Sequence, residues 1–213
     1  TIRHLNETRQ YDIEVAFVND QEALDYFEKV MKFIVKSVQK QCKEELRILK
    51  VKLATPKFFR ITYTEALEKL KKKGITIKWG EDLTPEAEKA LCEMHGMDNV
   101  VLVYDWPTKE RAFYSMPKKE NPEVCLSYDA LYGGRELLSG AVRIHIPELL
   151  EKRLKEQGLN PKNFKHYIDA FRYGCPPHAG WSFGLERMTM AILKLKNIRE
   201  ACLFPRDRYR ITP

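Results

Sequence analysis

The chain has 213 residues, 44% hydrophobic and 31% charged, which predicts one soluble globular domain large enough to bury a core. Its formal net charge of +7 favours anionic partners such as nucleotide phosphates or nucleic acid. No apolar run approaches the ~20 residues that cross a bilayer, and five dispersed cysteines without a CxxC pair point to neither a zinc site nor a disulfide framework, as expected of reduced thiols in a cytoplasmic protein.

Near the start, Tyr11, Ile13, Val15 and Phe17 alternate with Asp12, Glu14 and Ala16, predicting a strand with one apolar face and one carrying carboxylates. Asn19 and Glu22 form a capping-box pattern before a helix reaching about Gln41, with Leu24, Phe27, Met31, Ile34, Val35 and Val38 at helical spacing. Residues 48–53 read as a short strand and 56–63 as a loop into another. Thr64 is expected to cap a helix that turns Leu67 and Leu70 inward and ends at Gly74, and its KLKKK run reads as a solvated helix end. Thr84 and Pro85 open the next helix.

Residues 100–104 read as an apolar strand, Trp106 and Pro107 as a turn, and 111–116 as a further strand whose Phe113 and Tyr114 belong to the core. Within CLSYDALYGGRELLSGAVRIH, residues 125–145, Glu136 and Ser139 are hard oxygen ligands three apart, a donor set suited to magnesium. Arg143 follows Glu136 by seven, an odd offset that faces the other way on a regular strand unless a bulge near Ser139 and Gly140 resets the register. A polar edge strand is the plainer reading. Two helices follow, Pro147–Glu156 ended by Gly158, and residues 161–172 opened by Asn160, with His166 an ordinary surface or packing residue.

The stretch GCPPHAGWSFGLERMTMAILKL, residues 174–195, runs from a proline-rich turn through a strand into a helix with Leu185, Met188, Ala191 and Leu195 facing inward. It puts Arg187 on the first turn, where a cation opposes the helix macrodipole; beside exposed backbone N–H groups, and with Gly180 and Gly184 allowing close approach, it forms a receptor for phosphate oxygens. A surface arginine is the alternative. His178 either hydrogen-bonds substrate or fixes the turn. The chain closes in an arginine-rich tail ending at Pro213.

HAGWSFGLER resembles motif 3 of class II aminoacyl-tRNA synthetases, and FRYGCPPHAG and NIREACLFPRDR resemble the aspartate and asparagine branch, whose archaeal members include asparagine synthetase-like paralogues. RHLNE with the following strand resembles the second half of motif 2. FRITYTEALEKLKKKG and WGEDLTPEAEKAL resemble the insertion between motifs 2 and 3. The resemblance implies an α+β fold, a mostly antiparallel sheet flanked by helices. It implies that Arg187 and His4 grip the ATP phosphates, with Glu7 near the adenine. Glu136 and Ser139 would hold Mg²⁺, Asp12 would receive the amino group of the amino acid, and Arg143 its side chain. Asp129 falls on an acidic family position without a definite role. Thr8 departs from the usual aromatic that stacks on adenine, and LLSGAV is less glycine-rich than the branch.

Residues 1–213 would be the catalytic core from mid motif 2 through motif 3. Motif 1, through which the family forms homodimers, and the anticodon-binding domain would lie upstream. Three functions follow: a tRNA-independent enzyme that activates aspartate for attack by ammonia, toward which the departures at Thr8 and residues 137–142 incline; an aspartyl- or asparaginyl-tRNA ligase using tRNA as acceptor; or a catalytically silent binding paralogue.

Overall fold

A computed structural model describes residues 1–212; Pro213, the end of the arginine-rich tail, lies outside the described residues. The fold is α+β. In chain order it comprises β1 (Gln10–Ala16), α1 (Asp20–Gln41), α2 (Lys43–Ile48), β2 (Phe58–Thr62), α3 (Tyr63–Lys71), α4 (Pro85–His95), β3 (Val100–Pro107), β4 (Val124–Tyr132), β5 (Arg135–Val142), α5 (Pro147–Glu156), α6 (Lys165–Arg172), β6 (His178–Gly184) and α7 (Leu185–Ile192), with short 3₁₀ turns at Thr108–Glu110, Pro161–Phe164 and Ile198–Ala201. The strands form one sheet in the order β1-β6-β5-β4-β3-β2. Among the described residues, only β2 and β3 pair in parallel.

Helix α1 starts where Asn19 accepts from the Glu22 N–H and the Glu22 side chain returns to the Asn19 N–H. This capping box satisfies two donors that an α-helix leaves unpaired. Its inward stripe, Leu24, Phe27, Met31 and Val35, covers the apolar face of the central strands, meeting Tyr128, Ala130, Leu138, Trp181 and Phe183. Each such buried side chain contributes about 1.5–3 kcal/mol. A second core lies between α3, α4 and the β2–β3 side of the sheet, around Tyr63, Leu70, Leu91, Val101, Val103 and Trp106. The faces of β1, β6 and β5 opposite α1 carry instead the polar side chains of the cavity described below.

Several local expectations are corrected. Residues 48–53 form no strand; α2 and a turn at Lys50 occupy them, because Glu44 and Arg47 pair along one helix face and Ile48 and Leu49 are exposed, with no sheet to pair against. The cap of α3 is Thr62, not Thr64: Thr62 has Glu65 three residues on and makes the reciprocal box, whereas Thr64 has Leu67 there. Trp106 and Pro107 continue β3 past Asp105, which takes φ 62 where the β3–β4 register shifts. Residues 111–116 make only an isolated bridge, Ser115 with Arg143, since Phe113 packs edge-on against Phe164 and Tyr167 instead of entering a ladder. Leu185, at the start of α7, is 45% exposed, while Glu186 beside it is buried and accepts from the Arg9 N–H. Met188 and Ala191 do face the core.

Candidate functional site

A cavity of about 500 Å³ opens over the polar face of β1, β6, β5 and β4. The sheet register creates its floor: Asp12 pairs with Ser182, Ser182 with Ser139, and Ser139 with Asp129, so one polar row crosses four strands. Residues opposite one another on paired strands point to the same face. The row therefore follows from pairing alone.

Glu136 joins this row through a bulge. Ala130 pairs with Leu138 but Leu131 pairs with Glu136, leaving Leu137 as the extra residue in β5. One inserted residue inverts the alternation, so Glu136, Ser139 and Arg143, at odd offsets of three and seven from Glu136, all line the cavity. The bulge thus falls at Leu137, not at Ser139 and Gly140 as the spacing suggested. Gly140 stays in the ladder on the packed face, where an added Cβ would lie 2.4 Å from the Tyr128 ring.

His4, Asp12, Glu136, Ser139, Arg143 and Arg187 all line the cavity, as do Thr8 and Tyr114. Tyr114 lies under the Arg143 guanidinium rather than in the core, 5.3 Å from ring centroid to guanidinium carbon. Arg187 donates to the Glu136 carbonyl at 3.3 Å and to its carboxylate at 3.4 Å. Arg143 is held by Glu14, Nη2 to Oε1 2.7 Å. Burial and the Arg187 charge hold the His4 imidazole below its ordinary pKa. Glu7 lies outside the cavity and pairs with Arg206 at 3.0 Å. His178 donates to the Pro176 carbonyl at 2.9 Å and so fixes the turn.

Two groups around this site, Arg111 and Glu88, went unrecognised in the sequence. Arg111 reaches into the cavity with its guanidinium 3.8 Å from the centre of the Trp106 ring and forms a two-point pair with buried Asp129. Burial opposes its charge, but Asp129 outweighs that and holds it firmly protonated. Glu88, from α4, accepts from the Glu136 N–H at 3.3 Å, and burial pushes its carboxyl up. Arg3 meets Glu88 at 3.8 Å. Arg3 was legible with His4 as a polar floor ahead of the Asp12 and Glu14 strand; burial of Arg111 and Glu88 depends on distant elements.

Burial, and secondarily the Asp129 charge, push the Glu136 carboxyl up to about 7. Such a carboxylate, facing the same way as the Ser139 hydroxyl, gains from a cation set against both. No group of three or more His, Cys, Asp or Glu side chains able to hold a metal occurs among the described residues. The Glu136 carboxylate and Ser139 hydroxyl are two hard oxygen donors on one cavity wall, a set compatible with Mg²⁺, which usually keeps water and phosphate oxygens and takes one or two protein ligands.

The sequence model of the family described as tRNA synthetases class II (D, K and N) matches residues 1–208. The chain is 47% identical to the Aspartate--tRNA(Asp/Asn) ligase of Methanocaldococcus jannaschii and 45% identical to that of Archaeoglobus fulgidus, in each case over all of this chain, and over 49% and 50% of the relative. It thus spans about half the length of these curated relatives. Among solved structures it superposes on aspartyl tRNA synthetase from Entamoeba histolytica with a TM-score of 0.94 at 40% identity, covering all of this chain and 46% of that one. It also superposes on asparaginyl-tRNA synthetase from Pyrococcus horikoshii complexed with asparaginyl-adenylate, with a TM-score of 0.93 at 33% identity, covering all of this chain and 50% of that one. With its mostly antiparallel sheet and the motifs that line the cavity, the chain belongs to the class II tRNA synthetases, close to the aspartate and asparagine enzymes.

Proposed function

We propose that the native protein activates aspartate with ATP and transfers it to tRNA, acting as an aspartate–tRNA ligase. The relatives' names support the ligase over the ammonia-dependent synthetase toward which the departures at Thr8 and residues 137–142 incline, and over the silent paralogue. The observation that carries it is the convergence of Arg187, Glu136, Ser139, Asp12 and Arg143 on one cavity.

In this reading the α-carboxylate of aspartate attacks the α-phosphorus of ATP, pyrophosphate leaves, and the adenylate passes its acyl group to tRNA. The protein acts by placing reactants in line and by opposing charge. Asp12 accepts from the α-ammonium group. Arg143, already oriented by Glu14 and Tyr114, pairs with the side-chain carboxylate. Arg187 and His4 receive the phosphate tail. Glu136 and Ser139 would hold Mg²⁺, which when bound supplies countercharge to the phosphates. Arg111 fixes Asp129 beside Ser139 and so positions that pair.

Amino-acid-dependent ATP–pyrophosphate exchange on the native polypeptide tests this. Aspartate should support exchange, Arg187→Ala should remove at least about 99% of it, and unmodified tRNA should become charged. No exchange from folded protein with any amino acid would refute adenylate formation.

A further inference from the structure

Beyond the main cavity a second one, about 530 Å³, lies between α4, the β4–β5 turn at Gly133 and Gly134, and the end of α7. A smaller recess of about 220 Å³ adjoins both: it shares His4, Glu136 and Arg187 with the main cavity, and Arg135, Pro85 and Met190 with the second. Arg3 borders all three. The second cavity takes Arg3, Lys89, Arg135, Lys194 and Lys196 into its wall against one carboxylate, Asp98.

That carboxylate is occupied by Lys194 at 2.7 Å, and Lys89 pairs with Glu93 at 3.6 Å. Among the described residues Arg135 and Lys196 have no carboxylate partner. Arg135 is the stranger case. Its Nη1 faces the Met190 thioether at 2.7 Å, a weak acceptor, and its Nε is buried without any acceptor. A buried donor left unmade costs about 1–3 kcal/mol. All of these strains are relieved by one thing, an anion with several oxygens.

We infer that this cavity is a second anion site, centred on Arg135 with Lys196 at its mouth, which takes inorganic pyrophosphate from the main cavity on its way out. The forked guanidinium suits phosphate oxygens, and the shared Arg3 leads from one cavity to the next. That the anion is pyrophosphate rests on the adenylate-forming reading; the anion site itself does not.

Calorimetric titration of inorganic pyrophosphate into the native polypeptide, its main cavity filled with α,β-methylene ATP, tests the site. Pyrophosphate should still bind, about tenfold or more weakly in Arg135→Met, as loss of one charge-assisted contact implies. Lys196→Gln, at the exposed rim where folding is not at stake, should weaken it about threefold. Failure to bind beside the analogue, or affinity unchanged in both variants, overturns the site. Displacement of pyrophosphate by uncharged tRNA would assign Arg135 to RNA and also overturn it. Should the analogue itself not bind, the adenylate reading fails, and the Arg135 dependence of pyrophosphate binding to protein alone still decides the site.

Discussion

Glu136→Gln should make the protein more stable and less active. In the fold the Glu136 carboxyl is pushed up to about 7 from 4.5, because it is part-buried and lies near Asp129. The folded state therefore holds a proton that the unfolded chain has released, and stability falls as pH rises from about 4.5 to 7. Below that window both states are protonated and nothing is lost; above it the full penalty applies. The shift sets a ceiling of about 3 kcal/mol. However, 38% of the side chain meets solvent, which screens the charge, so about 1 kcal/mol is the expected penalty. Glutamine keeps the shape and removes the charge. Urea unfolding at pH 8 should show the variant more stable by that amount, a midpoint shift of about 0.5 M, with the advantage shrinking at pH 5. Exchange activity should fall, since a proposed metal ligand is lost. A variant no more stable at pH 8, or an advantage independent of pH, would refute the reasoning.

Asp129→Asn leaves the Arg111 guanidinium buried without its countercharge and should cost about 3 kcal/mol in urea unfolding; it should also bring the Glu136 carboxyl down toward its ordinary range, visible by carbon NMR titration. Gly140→Ala sets a Cβ 2.6 Å from the Gly180 carbonyl oxygen and 2.7 Å from the Trp181 Cβ, and should cost about 2–3 kcal/mol. For Gly180→Ala the three atoms nearest the added Cβ all belong to the Glu14 carboxyl, the far end of a half-exposed side chain that can swing away. It should cost under about 1 kcal/mol yet free Arg143 and, on the proposed function, raise KM for aspartate more than it lowers kcat.

Where a feature is written in adjacent residues, the sequence was a reliable guide. The Asn19 and Thr84 caps, the inward stripe of α1 and the strand-to-helix step at Gly184 are all local patterns, and all are found. Thr62 and Thr64 show the limit of such reading, since two neighbouring threonines compete and the acid three residues on decides. The segment 111–116 looked like a strand by composition, but whether a strand forms depends on a partner edge that no local pattern reveals. The pairing of Arg111 with Asp129 and the approach of Glu88 to Glu136 join residues 18 and 48 apart, and no periodicity announces a buried charge. The bulge was legible as a need, from the odd offset of Arg143, but not as a position.

That bulge at Leu137 makes the length of the strand matter more than most of its letters. A strand counts in twos, and the extra residue shifts the count once, between Glu136 on one side and Ser139 and Arg143 on the other. Substitutions among Leu138, Gly140 and Val142 change packing on the far face, whereas losing or gaining one residue between Glu136 and Arg143 would turn half the cavity wall inside out. The same change in the exposed turn at residues 119–123, beyond Arg111 and Tyr114, would alter only the path of a loop. Insertions and deletions in this chain should therefore be sorted by parity: odd ones in β5 carry the functional damage, and those in the loop are borne.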